Sequence, residues 1–340
     1  MHACLAIMRV AMQESKAHHG FMTNNALHVV MGSGQIGSLV ADILLARGTP
    51  VRLVRRGPAG APRPGLEWMS GDLSQPGFAE AAARGAAVVY DCTSPPYEAW
   101  MTLLLPLSRG AMHGAKVAGA RLVALDNLYM YGRTNGPISE STPIAPCSRK
   151  GELRARLAEE RRVAHESGDL RIATGRASDF FGPGVVRQTT LGDRFYRRIF
   201  AGKTAECFGD PDAPHALSFG HDVAAALVTL ADHDEAFGGV WHLPTNPAES
   251  MRQITERLGR ALGLSIKVAH VPRLALRAMG LFAPVVREVA EMAYQWESPY
   301  IVDDSKFRAS FGGAPTPVDA IIEATARWAA ATYGAASRAA

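Results

Sequence analysis

From Leu27 onward, short apolar runs alternate with stretches of helical periodicity. "LHVVM" is a buried-strand run, and "QIGSLVADILLARG" after it sets Ile36, Leu39, Val40, Ile43 and Leu44 at helical spacing. "VRLV" (51–54), the weaker "LEWMS" (66–70), "AAVVYDC" (86–92) and "RLVALD" (121–126) read as further strands. A helical stretch from about Tyr97 to Gly119 separates the last two, another follows Lys150, and "LRIATG" (170–175) closes the series. Strands alternating with helices predict parallel βαβ units, an α/β doubly wound sheet of Rossmann type.

Beyond Gly175 the regularity breaks. "FFGPGV" and "FGDPDAPH" are loop-rich, "HDVAAALVTLA" and "MRQITERLGRALG" are helical, and "GGVWHLP" reads as a strand. Val318, Ile321, Ile322 and Trp328 mark one face of a last helix, with Thr325 the polar member of the stripe. The expected organisation is a detached extension over 1–25, a dinucleotide-binding domain over 26–176, a substrate lobe over 177–334 with segments returning to the first domain, and a tail over 335–340. The opening "MHACLAIMRVAMQESKAHHG" lacks the basic leader and long apolar core of a signal peptide, so it reads as a disordered tail or as sequence upstream of a start at Met22.

"MGSGQIG" sets Gly32, Gly34 and Gly37 in GxGxxG register between a strand and a helix. Such a turn needs Gly32 for its tight bend, Gly34 for backbone approach to a pyrophosphate, and Gly37 for close helix–strand packing, with the helix N-terminus facing the anion. An acid at the end of the second strand would hold the ribose hydroxyls of NAD. Arg55 stands there instead, followed by Arg56, which suits a 2′-phosphate and favours NADP(H) over NAD(H).

Composition narrows the function further. Apolar residues make up 47% and charged residues 20% of 340, and the net charge is +4 with scattered arginines, so no basic stripe points to nucleic acid. No apolar run is long enough to span a bilayer. Cys4, Cys92, Cys147 and Cys207 form no CxxC pair and read as reduced thiols of a cytoplasmic protein. The eleven histidines show no HExxH or HxxxH spacing, so no metal is expected.

These segments together resemble the extended short-chain dehydrogenase/reductase superfamily, which holds the NAD(P)-dependent epimerases and dehydratases. "GSGQIGS" resembles its cofactor turn, which implies cofactor contacts from Ser33, Gln35 and Ile36 besides the glycines. "GDLSQP" resembles the adenine-contact motif and implies Asp72 and Leu73 beside the adenine, while "YDCTSPPY" implies that Cys92 and Thr93 run past the cofactor. "LDNLYMYG" resembles the strand-five segment, "GRASDFFGPG" the stretch passing the nicotinamide with Ala177 and Ser178, and "VDDSKFRASFG" the near-terminal motif. The resemblance also leaves room for a homodimer.

The departures lie in the chemistry. The family's proton donor is a Tyr four residues before its Lys; aligning Lys150 puts Pro146 there, and the strand-five Ser or Thr falls on Asn127. Lys150 is expected to hold the nicotinamide ribose. Tyr129 is the first candidate for a relocated donor, with Asn127 ordering a substrate oxygen or forming a turn. Tyr97, Tyr131, Asp179 and Phe180 are expected around the substrate; Asp179 disfavours a diphosphate. Arg149 and Arg154 read as solvated helix charges, and Asp222 as a helix cap. The leading reading is an NADP(H)-dependent oxidoreductase acting on a carbonyl or alcohol of a small metabolite. The alternatives are an epimerase or dehydratase, including the sugar-nucleotide type, and a non-catalytic NADP(H)-sensing protein.

Overall fold

The structure, a computed structural model, describes residues 26–272 and 284–337, so the expectation for 1–25 lies outside the described residues. The central sheet has seven strands: β1 (Leu27–Met31), β2 (Val51–Arg55), β3 (Leu66–Ser70), β4 (Ala86–Asp91), β5 (Arg121–Asp126), β6 (Ile172–Arg176) and β7 (Val240–His242). Their order is β7-β6-β5-β4-β1-β2-β3, and every pair is parallel. The order reverses between β1 and β4, where consecutive crossovers leave on opposite faces and open a crevice at the carboxyl ends of the strands.

Period-two alternation explains why both faces are dry. Val29, Met31, Val54, Val89, Leu122 and Ile172 point into one core, whereas Val30, Leu53, Val88, Tyr90, Val123 and Ala173 point into the other. Helices α1 (Gln35–Ala46) and α6 (Gly220–Asp232) cover the second core with Ile36, Val40, Leu44, Val223, Leu227 and Leu230. Helices α2 (Pro76–Ala83) and α3 (Trp100–Ala118) cover the first. Each buried Val or Leu contributes about 1.5–3 kcal/mol by leaving water. Gly110 of α3 allows a close approach: a Cβ there would stand 1.8 Å from the Leu73 carbonyl oxygen.

Helix α4 (Arg149–Glu166) packs beside α3 and ends before β6. The second lobe is built on α5 (Asp193–Phe200), α7 (Met251–Leu262) and α10 (Val318–Ser337), whose Phe195, Tyr196, Ile254, Leu258, Ile321 and Ile322 share one core. Helix α8 (Pro284–Met292) packs against the Tyr97–Ala99 turn that follows β4, and α9 (Ser305–Phe311) returns Phe307 to the core beside β7. Two of the stretches read as loops contain short strands: Asp179–Phe181 pairs with Leu217–Phe219, and Pro214–His215 pairs with Glu249–Ser250. Helix α10 continues to Ser337, past the expected boundary at 334. Among the described residues no helix is long and apolar enough to cross a membrane.

Candidate functional site

The glycine turn has the shape its sequence requires. Gly32 sits at φ +106°, and a Cβ there would lie 2.5 Å from the Cys92 carbonyl oxygen; at Gly37 it would lie 1.8 Å from that of Gly32. At Gly34 a Cβ would meet nothing within 4 Å. The first turn of α1 has no side-chain cap and no acidic residue, so its N–H groups are left for an anion. Ser33 is half-buried in the turn and Ile36 packs into the core. At the end of β2, Arg55 lies half-buried with its guanidinium 5.8 Å from the Trp68 ring, and Arg56 is exposed. Asp72 is exposed and accepts the Ser74 amide at 2.9 Å, while the Leu73 side chain is in the core.

Gln35 points elsewhere. Its Oε1 accepts the amides of Val186 and Arg187, both at 2.7 Å, and its Nε2 donates to the Arg187 carbonyl at 3.1 Å. The same segment reaches the other side of the crevice, where Gln188, at φ +53°, donates to the Pro95 carbonyl at 2.9 Å and accepts from Ser94 at 3.1 Å. Residues 186–188 therefore bridge the first residue of α1 and the loop after β4.

Below the crevice lies a buried charged layer. Arg161 donates to Asp126 at 3.0 Å and to Asp91 at 3.2 Å, and Arg154 donates to Asp126 at 2.9 Å. Asp91 also accepts from Ser108 at 2.9 Å and, through its other oxygen, from the Thr93 amide and hydroxyl at 3.1 and 2.6 Å. The two aspartates end β4 and β5, so the layer fixes the strand ends from which Cys92, Thr93 and Asn127 emerge. Arg154 corrects the sequence reading: it is buried, with its guanidinium 4.4 Å from the Trp100 ring, because the inward stripe of α4 runs Lys150, Leu153, Arg154, Leu157 and Arg161. Arg149 is exposed but not simply solvated, because its guanidinium pairs with Glu288 at 3.5 Å and with Glu291 at 3.8 Å.

Lys150 is fully buried at the start of that stripe. Its ammonium donates to Glu288 and, at 3.0 Å, to Glu291, both on α8. Glu291 also accepts the Arg149 amide at 2.5 Å, and Ser148 caps α4 by accepting the Gly151 amide at 3.0 Å. A carboxylate is favoured at this helix N-terminus by the dipole as well as by the lysine. Lys150 Nζ stands 4.7 Å from the Tyr97 ring. Tyr97 and Tyr129 both pack on Trp100, Tyr97 edge-on with centroids 5.1 Å apart and Tyr129 stacked at 5.8 Å. Burial, then the charge of Asp179, pushes the Tyr129 phenol upward; burial, then Tyr129, does so for Tyr97. Both are phenols, not phenolates, at neutral pH.

Asp179, after β6, accepts from or shares a proton with His215 Nε2 at 3.1 Å. Phe180 is half-buried at the edge of the sheet core, its carbonyl taken by Thr189 at 2.8 Å. Ala177 is buried, and Ser178 is buried with its hydroxyl given to the Ala216 carbonyl at 2.7 Å. Asn127 spends its side-chain oxygen on the Tyr129 amide at 3.2 Å, the turn-forming role. The Tyr131 hydroxyl is held by Arg176 at 2.6 Å and faces His242 at 2.9 Å, so it does not join the Tyr97–Tyr129 pair. Asp222 does not cap its own helix: it accepts the Thr316 amide at 2.7 Å and hydroxyl at 2.6 Å, tying the start of α6 to the segment before α10.

Glu288, Glu291, His215 and Arg161 escaped the sequence reading. "REVAEM" does set two glutamates three apart on one helix face, but nothing local tells which lysine they meet; His215 lies in a stretch without periodicity.

The model of the NAD dependent epimerase/dehydratase family matches residues 28–242, more than half of the chain. Among solved structures, UDP-glucuronic acid 4-epimerase from Bacillus cereus, in complex with NAD, is similar with a TM-score of 0.75 and 16% identity, over 91% of this chain and 97% of that one. The epimerase Mth375 from Methanothermobacter thermautotrophicus gives a TM-score of 0.78 at 15% identity, covering 94% and 96%. A double mutant of the dTDP-glucose 4,6-dehydratase DesIV from Streptomyces venezuelae gives 0.74 at 19%, covering 91% and 98%. No curated protein sequence matches the chain.

Proposed function

Because the chain belongs to the NAD-dependent epimerase/dehydratase family, a family of enzymes, we propose that it is an NADP(H)-dependent oxidoreductase acting on a carbonyl or alcohol of a small metabolite, with a rearranged acid/base set. The residues fit a dinucleotide: Gly34 leaves open space in front of an uncapped helix N-terminus, and Arg55 and Arg56 offer guanidinium groups where a 2′-phosphate would lie. Gly32, Gly34, Gly37, Cys92 and Thr93 would line it; Lys150 would reach the nicotinamide ribose only by leaving Glu288 or Glu291, between which its ammonium is buried. When bound, the cofactor supplies hydride exchange with the substrate carbon.

The observation that carries the reading is the buried Lys150 against Tyr97, whose neighbour on Trp100 is Tyr129, beyond the ends of β4 and β5. In the family resemblance the lysine lowers a tyrosine's pKa. Here Glu288 and Glu291 compensate the Lys150 ammonium and the Arg149 guanidinium together, and burial holds both phenols in their protonated form. A neutral phenol is suited to donate a hydrogen bond, and then a proton, to an oxygen on which negative charge develops. Asn127 accepts the Tyr129 amide and so sets the Tyr129 backbone. The test is NADPH consumption against a panel of aldehydes and ketones, with Tyr129→Phe and Lys150→Ala as controls that should lose most turnover.

One observation favours the second reading, a redox-neutral epimerase or dehydratase. The bridge formed by Val186, Arg187 and Gln188 across the crevice would hinder cofactor exchange, which a reductase needs at every turnover and an epimerase does not. Purified enzyme that carries about one equivalent of nicotinamide cofactor, and releases it only on denaturation, would favour that reading.

A further inference from the structure

We infer that helix α8 is a latch on Lys150: the nicotinamide ribose and the carboxylates of α8 compete for one ammonium, so α8 leaves its seat when the whole dinucleotide binds. The inference rests on the reading of Lys150 as the group that holds that ribose. The Lys150 side chain is 0% exposed, so no ligand atom can touch its Nζ while α8 is docked. The ammonium donates to Glu288 and, at 3.0 Å, to Glu291, and the Tyr97 ring lies 4.7 Å away. A ribose hydroxyl can take a hydrogen bond from this ammonium only after at least one carboxylate has left it.

Charge does most of the holding. Glu288 and Glu291 meet both Lys150 and Arg149, and Glu291 also accepts the backbone amides of Arg149 at 2.5 Å and Lys150 at 3.4 Å, at the start of α4. Arg287 stands 3.9 Å from Glu288, but it lies on α8 itself and moves with it. Among the described side chains of α8, Ala290 and Met292 are the buried apolar ones. Ala290 belongs to a small cluster with Ala293, Phe208, Val271 and Val286. Beside that cluster a pocket of about 340 Å³, lined by Pro211, His270, Pro272 and Ala293, leaves the packing open at this end of the helix.

Such a seat is readily left. Taking charges out of water costs about as much as their attraction returns, so a buried ion cluster adds little net stability, and apolar side chains in its place would hold the helix as well or better. On release, Glu288 and Glu291 regain water. Alpha-helices shorter than roughly 12–15 residues are marginal on their own, so α8, with nine residues, frays once undocked. By linkage, whatever factor the latch takes from cofactor affinity, the cofactor takes from the docking of α8.

Hydrogen–deuterium exchange and binding titrations on the full chain test this. NADP+ should slow exchange in the glycine turn and speed it in α8. Adenosine 2′,5′-bisphosphate carries the adenine half of the cofactor and lacks the nicotinamide ribose; it should slow the turn and leave α8 unchanged. Glu288→Gln combined with Glu291→Gln keeps the side-chain shapes and weakens the latch. It should raise NADP+ affinity about tenfold and leave that for the bisphosphate unchanged. Equal gains for both probes would reflect only the loss of negative charge and overturn the latch, as would NADP+ binding that leaves α8 exchange unchanged or slower; either result leaves the cofactor reading standing. NAD+ and ADP serve as the probes if the chain prefers NAD+. Failure of both dinucleotides to bind wild type or variant sinks the cofactor reading, and the latch falls with it.

Discussion

Replacing Arg161 by methionine isolates the charged layer under the crevice. Methionine keeps most of the side chain's length and apolar stem, so what is lost is the guanidinium that joins Asp91 to Asp126. Both carboxylates are almost fully buried, with side-chain exposures of 1% and 0%. Breaking a buried pair by removing one partner costs roughly 3–5 kcal/mol, because the remaining charge is left without compensation. The lower end applies here. Asp126 keeps Arg154 at 2.9 Å, and Asp91 keeps the hydroxyls of Ser108 and Thr93. A loss of about 3 kcal/mol is a change of roughly a hundredfold in the folding equilibrium. It should appear as a lower urea midpoint at unchanged slope. Adding Asp91→Asn to Arg161→Met should recover part of the loss, since a neutral amide no longer needs the guanidinium. A loss below about 1 kcal/mol, or no recovery in the double variant, would refute the argument that this layer is a mutually compensated set.

Three further outcomes follow from single positions. Gly34→Val should remove cofactor binding in a fluorescence titration while leaving the thermal midpoint nearly unchanged, since the added Cβ meets no protein atom within 4 Å and the backbone there is extended. Arg55→Asp should lower the ratio of NADP to NAD affinity; a wild type that binds NAD(H) more tightly contradicts the assignment. His28, buried against the Tyr90 hydroxyl at 3.2 Å, is pushed down from 6.5 to about 4 by burial. The unfolded chain therefore binds the extra proton first. The stability tied to the neutral ring is complete above pH 6.5 and is lost as pH falls towards 4, by about 3 kcal/mol. His28→Gln should flatten that part of the acid-unfolding curve.

The sheet was legible because both its faces are apolar. Val29 and Met31 against Val30, and Val88 and Tyr90 against Val89, carry the two cores in plain alternation, and the glycine turn is written in one segment. The charged layer was not legible. Arg154 has the composition of a surface residue, and only the folded position of Asp126 turns it inward. Glu288 and Glu291 meet Lys150 from about 140 residues away, and His215 meets Asp179 across two short strands that no periodicity marks. Local pattern specifies elements and their buried faces; ion pairs and shared protons depend on tertiary neighbours.

The central claim is that Lys150, Tyr97 and Tyr129 make a working redox site without a tyrosine at position 146. It is tested most directly by stopped-flow NADPH oxidation with wild type, Lys150→Ala and Tyr129→Phe on one reactive carbonyl substrate. The account predicts stoichiometric oxidation by the wild type, loss of most of the rate in Lys150→Ala, and a fall of about a hundredfold in Tyr129→Phe. Cofactor binding without oxidation of NADPH across the whole carbonyl panel, or wild-type rates in both variants, would contradict it.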